Sequence, residues 1–359
     1  MNVHLRKVLL VSAVLTAVNV NAMEISGKKM EIYSKIHMSV DMSDTDNPAI
    51  TNDGMSVSSN SSRLGLKGKT SIDGDKKIFW KIEQEISMDD SNKGNFANRN
   101  SYIGIADGDH SILVGVHDTP FKSVGSKWGV FGDSVAERRS ILGASHDKGN
   151  QLNERVKNAV MYQFKNKAMK VQAMYAVDPE GANTGIVDDS VKSMKGLGVW
   201  YKLDKLKLSF GFEQWLNHSV INEGTAIRLA AVYKMKAHQV GAIYETIDSD
   251  DTASANALAF NRTVMGANWK FKFADKTDFR LQYLIAGDAD NSTATGATKL
   301  GLGIYHKLDK KAKVYVAYAS TSNDANAKFQ AVDGGHGDEV KTVTGGSPNS
   351  LSAGIEYKF

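Results

Sequence analysis

Cysteine is absent from this chain of 359 residues, and proline occurs only four times. Without cysteine the protein has no disulfide bond, no thiolate metal site and no lipid-anchored cysteine. Scarce proline together with 32 glycines suits many strands joined by tight turns. The formal net charge is only +4, and no run of charge is typical of a nucleic-acid groove, so we expect no nucleic acid partner.

Long apolar runs are also scarce. Residues 8–18 form an apolar segment that is about half as long as the roughly 20 residues a membrane-spanning helix needs. Arg6 and Lys7 precede this segment, and small residues follow it at the positions of a cleavage site. The sequence therefore predicts that residues 1–22 are a secretory signal peptide, cleaved after Ala22.

Alternation of apolar and polar residues is the main positive signal. Between residues 30 and 41, Ile32, Ile36 and Val40 fall on one side, and Lys35 falls on the other. Successive side chains of a strand point to opposite faces, so this segment predicts a strand with one apolar and one polar face. The same pattern recurs as far as the C-terminus.

Turn residues separate sixteen segments of this kind. Short turns such as 203–205 alternate with longer polar loops such as 178–192 and 323–349, which is the asymmetry of outer-membrane barrels. The predicted fold is all-β, a 16-stranded antiparallel transmembrane β-barrel formed by a single domain, residues 23–359. The segments are 30–41, 63–70, 77–88, 99–106, 110–118, 155–164, 170–177, the hairpins 195–216 and 226–247, 262–273, 278–286, 300–308, 313–320 and 350–359.

Position within each segment assigns side chains to the two faces. In segment 155–164, for example, Val156 is predicted to face outward. Aromatic residues at outward positions near the strand ends are expected at the membrane interfaces. Small outward residues at Ser34, Asn100 and Gly104 would let a neighbouring subunit approach the barrel.

The segment at about 119–154 is the main irregularity of the chain. It is much longer than a turn, and it carries apolar residues such as Phe121 and Trp128 that could pack it against something. A long loop with few disorder signals is expected to be ordered and functional. If this segment folds into the barrel, it narrows the channel and places the carboxylates of Asp133 and Glu137 there.

Basic residues are expected to face this segment. By their position in the strands, four basic side chains point inward near it: Lys35, Arg63, Arg99 and Arg155. Acid on a loop opposite base on a wall gives a strong transverse field across a narrow gap, and charges at a constriction set ion preference. These four residues, with Asp133 and Glu137, are therefore the predicted constriction residues.

Several short motifs occur in the order and at the spacing of a known family. They are Tyr33 to Lys35, residues 62–68 (SRLGLKG), 98–104 (NRNSYIG) and 131–133 (FGD), Arg155 and the terminal Phe359. In these features, and over nearly the whole mature length, the chain resembles the trimeric general, non-specific porins of Gram-negative bacteria. One position departs from the pattern: where that family often has an arginine before a motif like residues 117–120, this chain has Val116.

The resemblance implies a 16-stranded barrel whose third external loop folds inward, assembled as a homotrimer in the cell outer membrane. It implies a water-filled channel for passive diffusion of ions and small hydrophilic solutes, in contact with outer-membrane lipid and lipopolysaccharide. Phe359 is similar to the terminal residue that the barrel-assembly machinery recognises in this family. We expect no cofactor.

Alternatives stay open at this point. A substrate-selective channel for sugars or an anion would need an aromatic or basic ladder along the lumen, and the sequence shows no clear one. We expect no enzyme and no metal site, because no serine lies in a nucleophile elbow and the histidines lack the spacing of a helical zinc site. A barrel enzyme or adhesin and a soluble exported binding protein are the less favoured alternatives.

Overall fold

The computed structural model describes residues 23–25, 28–47, 54–90, 96–145, 149–150, 152–181, 192–219, 222–249 and 261–359. The predicted signal peptide, residues 1–22, lies outside the described residues, so its cleavage after Ala22 stays a prediction. In the described ranges, no helix is long and apolar enough to cross a membrane.

The described part of the chain is almost entirely β-strand. One α-helix, α1 (Pro120–Trp128), and a 3₁₀ turn at Arg138–Ser140 interrupt the strands. The strands are β1 (Met23–Ile25), β2 (Lys28–Asp44), β3 (Gly54–Ser59), β4 (Arg63–Asp73), β5 (Lys76–Glu85), β6 (Ser101–Asp107), β7 (His110–Asp118), β8 (Ala144–Ser145), β9 (Gly149–Asn150), β10 (Arg155–Lys165), β11 (Met169–Val177), β12 (Ser193–Leu203), β13 (Leu206–His218), β14 (Asn222–Met235), β15 (His238–Ser249), β16 (Arg262–Ala274), β17 (Thr277–Ala286), β18 (Ala297–Lys307), β19 (Ala312–Asn323) and β20 (Asn349–Lys358).

Antiparallel pairing closes the sheet into a ring. From β4 onward each long strand pairs with the next, β7 pairs with β10, and β20 pairs with β2. Because β3 and β4 both pair with β2, they are two halves of one strand position. The ring therefore has 16 positions, and the predicted 16-stranded antiparallel barrel is confirmed.

The two faces of the sheet differ as the alternation predicts. On β6, Ile103 and Ile105 are 52% and 54% exposed, whereas Gly104 between them is buried. Exposed apolar side chains recur on strands around the ring. The opposite face carries polar groups, and there Arg228 and Glu245 are completely buried. An apolar outer wall around a polar interior is the arrangement that a membrane barrel requires.

Strand β3 has no counterpart among the predicted segments. The serine-rich sequence between Val57 and Arg63 lacks apolar alternation, and Ser61 adopts a positive φ of 48° between the two half-strands. Side-chain hydrogen bonds connect the chain to β2 between the two half-strands. The hydroxyl of Ser62 accepts a hydrogen bond from the His37 amide at 3.0 Å. A strand that depends on side-chain hydrogen bonds has no hydrophobic signature in the sequence.

The outward prediction for Val156 is wrong. The pairing of β10 with β7 shifts register between Val156 and Ala159, and Asn158 has a φ of 50°. This bulge changes which face the following residues present. Val156 is completely buried in an interior cluster that includes Phe121 and Leu152.

Two of the three small residues predicted to face outward lie on the interior face. The side-chain amide of Asn100 donates to Asp118 Oδ2 at 3.0 Å, among the interior charged groups. A Cβ at Gly104 would lie 2.5 Å from the ring of Phe79, which packs in the interior cluster. The exposed side chains of Ile103 and Ile105 fix this assignment, because residues at alternate positions of a strand share a face. The outward prediction is therefore wrong at these two positions.

Candidate functional site

Helix α1 begins the long segment and lies against the interior face of β12 to β15. Thr119 caps the helix by accepting a hydrogen bond from the Lys122 amide at 3.1 Å, and Pro120 occupies the first turn, where proline is favourable. Phe121 is completely buried beneath the helix. A Cβ at Gly211 of β13 would lie 3.0 Å from the Phe121 Cα, so the lack of a side chain there allows this close approach.

The segment continues along the interior face of later strands. Arg280 of β17 donates to the carbonyl oxygen of Val130 at 2.6 Å, and Gln282 donates to that of Ala136 at 3.2 Å. On β18, the buried ammonium of Lys299 donates to the Ser140 hydroxyl at 2.7 Å. Hydrogen bonds from wall side chains therefore hold the backbone and side chains of the segment at intervals.

Asp133 connects the segment to β2, three strand positions beyond β18 in the ring. Its Oδ2 lies 2.5 Å from Lys35 Nζ on β2, and its Oδ1 accepts from Arg139 Nη2 at 3.0 Å. Burial alone raises the pKa of Asp133, but Lys35 and Arg139 more than offset burial and hold that pKa well below its usual range. The predicted residues Lys35 and Asp133 are thus in direct contact, and Asp133 is ionised.

A cavity of about 570 Å³ lies between the segment and the wall formed by β4 to β10. Five of the six predicted constriction residues line it: Arg63, Arg99, Arg155, Asp133 and Glu137. The sixth, Lys35, does not line the cavity but contacts Asp133 at its edge. Val116, the position that departs from the family pattern, also lines the cavity.

The wall arginines have carboxylate partners that the sequence prediction missed. Arg99 donates to Glu83 at 3.0 Å and to Glu85 at 2.9 Å. Arg155 lies 3.1 Å from Asp118. Glu83 and Glu85 lie two positions apart in the predicted segment 77–88, and alternate residues of a strand share a face, so this signal was present in the sequence. The wall therefore carries acidic as well as basic side chains.

The segment also carries its own cations. Glu137 accepts from Arg138 Nη1 at 2.7 Å and lies 3.3 Å from Arg139 Nε. Burial raises the pKa of Glu137, yet the two arginines outweigh burial and lower that pKa overall. Burial lowers the pKa of Arg138 to about 10, while Glu137 opposes that shift. The adjacent arginines of the segment were a visible signal that the sequence prediction did not use.

Positive side chains outnumber negative ones at this cavity. The basic residues that line it are Arg63, Arg99, Lys122, Arg138, Arg139, Arg155 and Lys157. The acidic residues that line it are Glu85, Asp118, Asp133, Glu137 and Glu154. Burial raises the pKa of Glu154 to about 7, so this carboxyl is only partly ionised near neutral pH. Basic side chains are therefore in excess among those that line the cavity.

Metal ligands do not converge in the part of the chain that the structure describes. No group of three or more His, Asp or Glu side chains there is placed to hold a metal ion. His117 and Asp118 are adjacent in sequence, but His117 Nδ1 hydrogen-bonds to the backbone oxygen of Asp118 at 2.7 Å.

Comparison with known proteins identifies a matching family and several solved structures of similar fold. Residues 9–326 match the sequence model of a family described as Gram-negative porin. Comparison with curated protein sequences finds no match. The anion-selective porin from Comamonas acidovorans has a similar structure, with a TM-score of 0.74, 20% identity, and coverage of 92% of this chain and 100% of that chain.

Two further solved structures have the same fold. Outer-membrane expressed OmpT of Vibrio cholerae has a TM-score of 0.68 at 16% identity and covers 94% of this chain and 100% of its own. A mutant of Rh. blastica porin has a TM-score of 0.62 at 15% identity, with coverage of 92% and 100%. At these identities the likeness establishes the architecture of the barrel.

Proposed function

Because the chain belongs to the Gram-negative porin family, whose members are outer-membrane channels for passive diffusion, we propose that residues 119–154 form its third external loop and narrow the water-filled passage. The proposed constriction lies between this loop and the wall that carries Arg63, Arg99 and Arg155. Solutes that cross it are ions and small hydrophilic molecules, because both sides of the passage carry charge.

The contact between Lys35 and Asp133 is the observation that carries this proposal. The segment is packed against β12 to β18, and at Asp133 it contacts β2, which lies three strand positions beyond β18 in the ring. A segment that follows the interior wall from β12 round to β2 leaves the side toward β4 to β10 open, so solutes have to pass beside it. The charged cavity of about 570 Å³ is the open space on that side.

We further propose a weak preference for anions. The excess of basic side chains around the cavity supports it, since like charge at a constriction repels cations and attracts anions. The porin from Comamonas acidovorans, one of the similar structures, is described as anion-selective. The alternative of an anion-selective channel therefore has support from charge, whereas a specific sugar channel does not.

Assembly and surroundings are also part of the proposal. A Vibrio cholerae OmpT structure of the same fold is described as a trimer form, and we propose a homotrimer for this chain. Lipid and lipopolysaccharide would contact the apolar outer face. Phe359 exchanges two backbone hydrogen bonds with Ser34, of 3.0 and 3.2 Å, and its side chain is 40% exposed. It is thus accessible at the terminus for barrel-assembly machinery. We expect no enzymatic activity.

Single-channel recording in a planar bilayer tests the function. Refolded protein that begins at Met23 should produce stepwise conductance, and a fivefold salt gradient should give a small reversal potential of the anion-selective sign. Protein kept unfolded by boiling is the control. Absence of steps from protein that shows a heat-shiftable band would contradict the channel, and liposome swelling with sugars and anions of equal size would separate general from selective passage.

A further inference from the structure

Several lysines lie close together at the short-turn end of the barrel, beside helix α1. A second cavity, of about 430 Å³, is formed there by strands β10 to β14 and the end of α1. Six lysines line it: Lys127, Lys165, Lys167, Lys170, Lys202 and Lys207. No aspartate or glutamate is among the residues that line this lysine pocket. The pocket is therefore a concentration of positive charge without an acidic neighbour in its wall.

Strand register places these lysines directly opposite one another. Lys165 of β10 pairs with Lys170 of β11, and Lys202 of β12 pairs with Lys207 of β13. Like charges at directly opposite positions destabilise a sheet. Lys127, from the last turn of α1, adds a further repulsive charge that acts on Lys170. The fold thus keeps like charges close together, and a bound anion would reduce the repulsion between them.

The lysine pocket faces the interior of the barrel. Lys202 lies on the same face of β12 as Gly198, where a Cβ would lie 2.9 Å from Pro120 of α1. Lys207 shares a face of β13 with Gly211, which lies against Phe121. A ligand reaches these ammonium groups from the aqueous interior, which favours a dissolved anion over a headgroup of the surrounding bilayer.

The remaining wall gives the pocket an aromatic and an amide surface. The ammonium of Lys170 lies 4.4 Å from the centroid of the Trp200 ring, a distance at which cation and ring attract each other. Gln163 accepts a hydrogen bond from Gln172 at 3.2 Å, and Gln163 lines the pocket beside Lys165. The pocket therefore offers an aromatic face and a side-chain amide beside its ammonium groups.

We propose that the lysine pocket binds a multivalent phosphate anion, either inorganic pyrophosphate or a small organic phosphate in solution. Several ammonium groups can share the oxygens of one phosphate anion, whereas chloride carries a single charge. The volume is in the range of small-molecule sites. The inference deepens the proposed function, because it rests on the interior being a water-filled passage and names the solute class held at the short-turn end of that passage.

Calorimetric titration with inorganic pyrophosphate tests the site on refolded protein in a neutral detergent. The variant Lys170→Gln/Lys207→Gln removes one charge from each opposed pair, and binding should weaken about tenfold. Lys310→Gln is the matched control, because Lys310 lies in the β18–β19 turn away from the pocket and should leave affinity unchanged. The single variants Lys170→Gln and Lys207→Gln should show intermediate losses, and a heat-shiftable band verifies that each variant has folded.

The possible outcomes separate this inference from the channel itself. Equal pyrophosphate affinity in wild type and the double variant, or no binding to folded wild type, would overturn the phosphate site even if the protein conducts. Binding by a folded protein that never conducts would contradict the channel and leave the site standing. The titration is repeated with protein reconstituted in lipid nanodiscs of phosphatidylglycerol or of phosphatidylcholine. If only the phosphatidylglycerol nanodiscs abolish pyrophosphate binding, the occupant is a lipid headgroup and the assignment to a dissolved anion is wrong.

Discussion

Arg228 of β14 donates through Nε to Glu245 Oε2 of β15 at 2.6 Å, and both side chains are completely buried. The same guanidinium donates to the carbonyl oxygen of Phe121 at 3.1 Å and to Asn153 Oδ1 at 2.9 Å. Glu245 Oε1 accepts from the Gly143 amide at 2.7 Å. One ion pair on the wall therefore holds the beginning and the end of the long loop.

Arg228→Met should loosen this loop, because it leaves Glu245 buried without its partner. Loss of one member of a buried pair costs about 3–5 kcal/mol. We expect a lower unfolding temperature and a larger, noisier single-channel conductance. The double variant Arg228→Met/Glu245→Met should be less destabilised than the sum of the two single variants. Additive losses in that cycle would show that the two side chains do not act as a pair.

Arg99→Gln and Asp133→Asn should shift ion preference in opposite directions. Removing the Arg99 charge leaves Glu83 and Glu85 less compensated, so the channel becomes more cation-preferring. Removing the Asp133 charge makes it more anion-preferring. We expect the permeability ratio to change about two- to fivefold in each case.

Reversal potentials in a salt gradient measure both shifts. Lys310→Gln and Asp204→Asn are the controls, because they remove one charge of each sign from short turns outside the constriction cavity. Unchanged potentials in both test variants would place Arg99 and Asp133 outside the ion path.

Ion preference should depend on pH near neutrality. Burial raises the pKa of Glu154 from 4.5 to about 7, and Glu180 adds to the rise while Lys122 opposes it. As pH rises through 7 a carboxylate forms in the cavity, so anion preference decreases. The associated stability contribution is fully present below pH 4.5 and is lost as pH rises through 7, because the folded chain holds this proton more tightly.

Glu154→Gln should remove most of the pH dependence of the reversal potential around pH 7. Burial lowers the pKa of Lys122 to about 8, so its loss of charge adds a change in the same direction at higher pH. Reversal potentials are therefore compared at pH values below and above 7, all of them below pH 8. A wild-type channel whose preference is constant over that interval would contradict the role given to Glu154.

Lys299→Met should separate two loops. The ammonium of Lys299 donates to the Ser140 hydroxyl and to the carbonyl oxygen of Ala331, and the side chain is almost fully buried. Methionine fills similar volume but leaves both oxygens without this donor, at a cost of about 1–3 kcal/mol. A lower temperature for the heat-shifted gel band would reveal the loss. Lys328→Met, the same substitution at a half-buried loop position outside this contact, should leave that temperature unchanged.

Alternation together with turn residues was enough to predict the ring of strands. The predicted bounds of β7, 110–118, coincide with those in the structure, because clear turn residues border a regular alternating segment. The strand position shared by β3 and β4 was only half predicted, since its serine-rich half is held by polar hydrogen bonds. The face of Val156 was predicted wrongly because a bulge changes which face the residues on its two sides present. No residue type reliably marks a bulge in the sequence.

The charged site was predicted less completely than the fold. Position in the strand gave the faces of Arg63, Arg99 and Arg155, but the partner of each charge depends on register between strands. The lysine pocket was not predicted for the same reason. Lys165 and Lys202 are far apart in sequence, and only the pairing of β10 to β13 brings them to one pocket.

The barrel closes only when its last strand, β20, pairs with β2, so an incomplete chain does not form it. Ser43 and Ser350, 307 positions apart in sequence, hydrogen-bond between these two strands at 2.9 Å. A prematurely terminated polypeptide would lack the closing partner and would present two rows of unsatisfied amides to hydrocarbon. Nonsense alleles late in the coding sequence should therefore yield material cleared by periplasmic proteolysis, not a narrower pore.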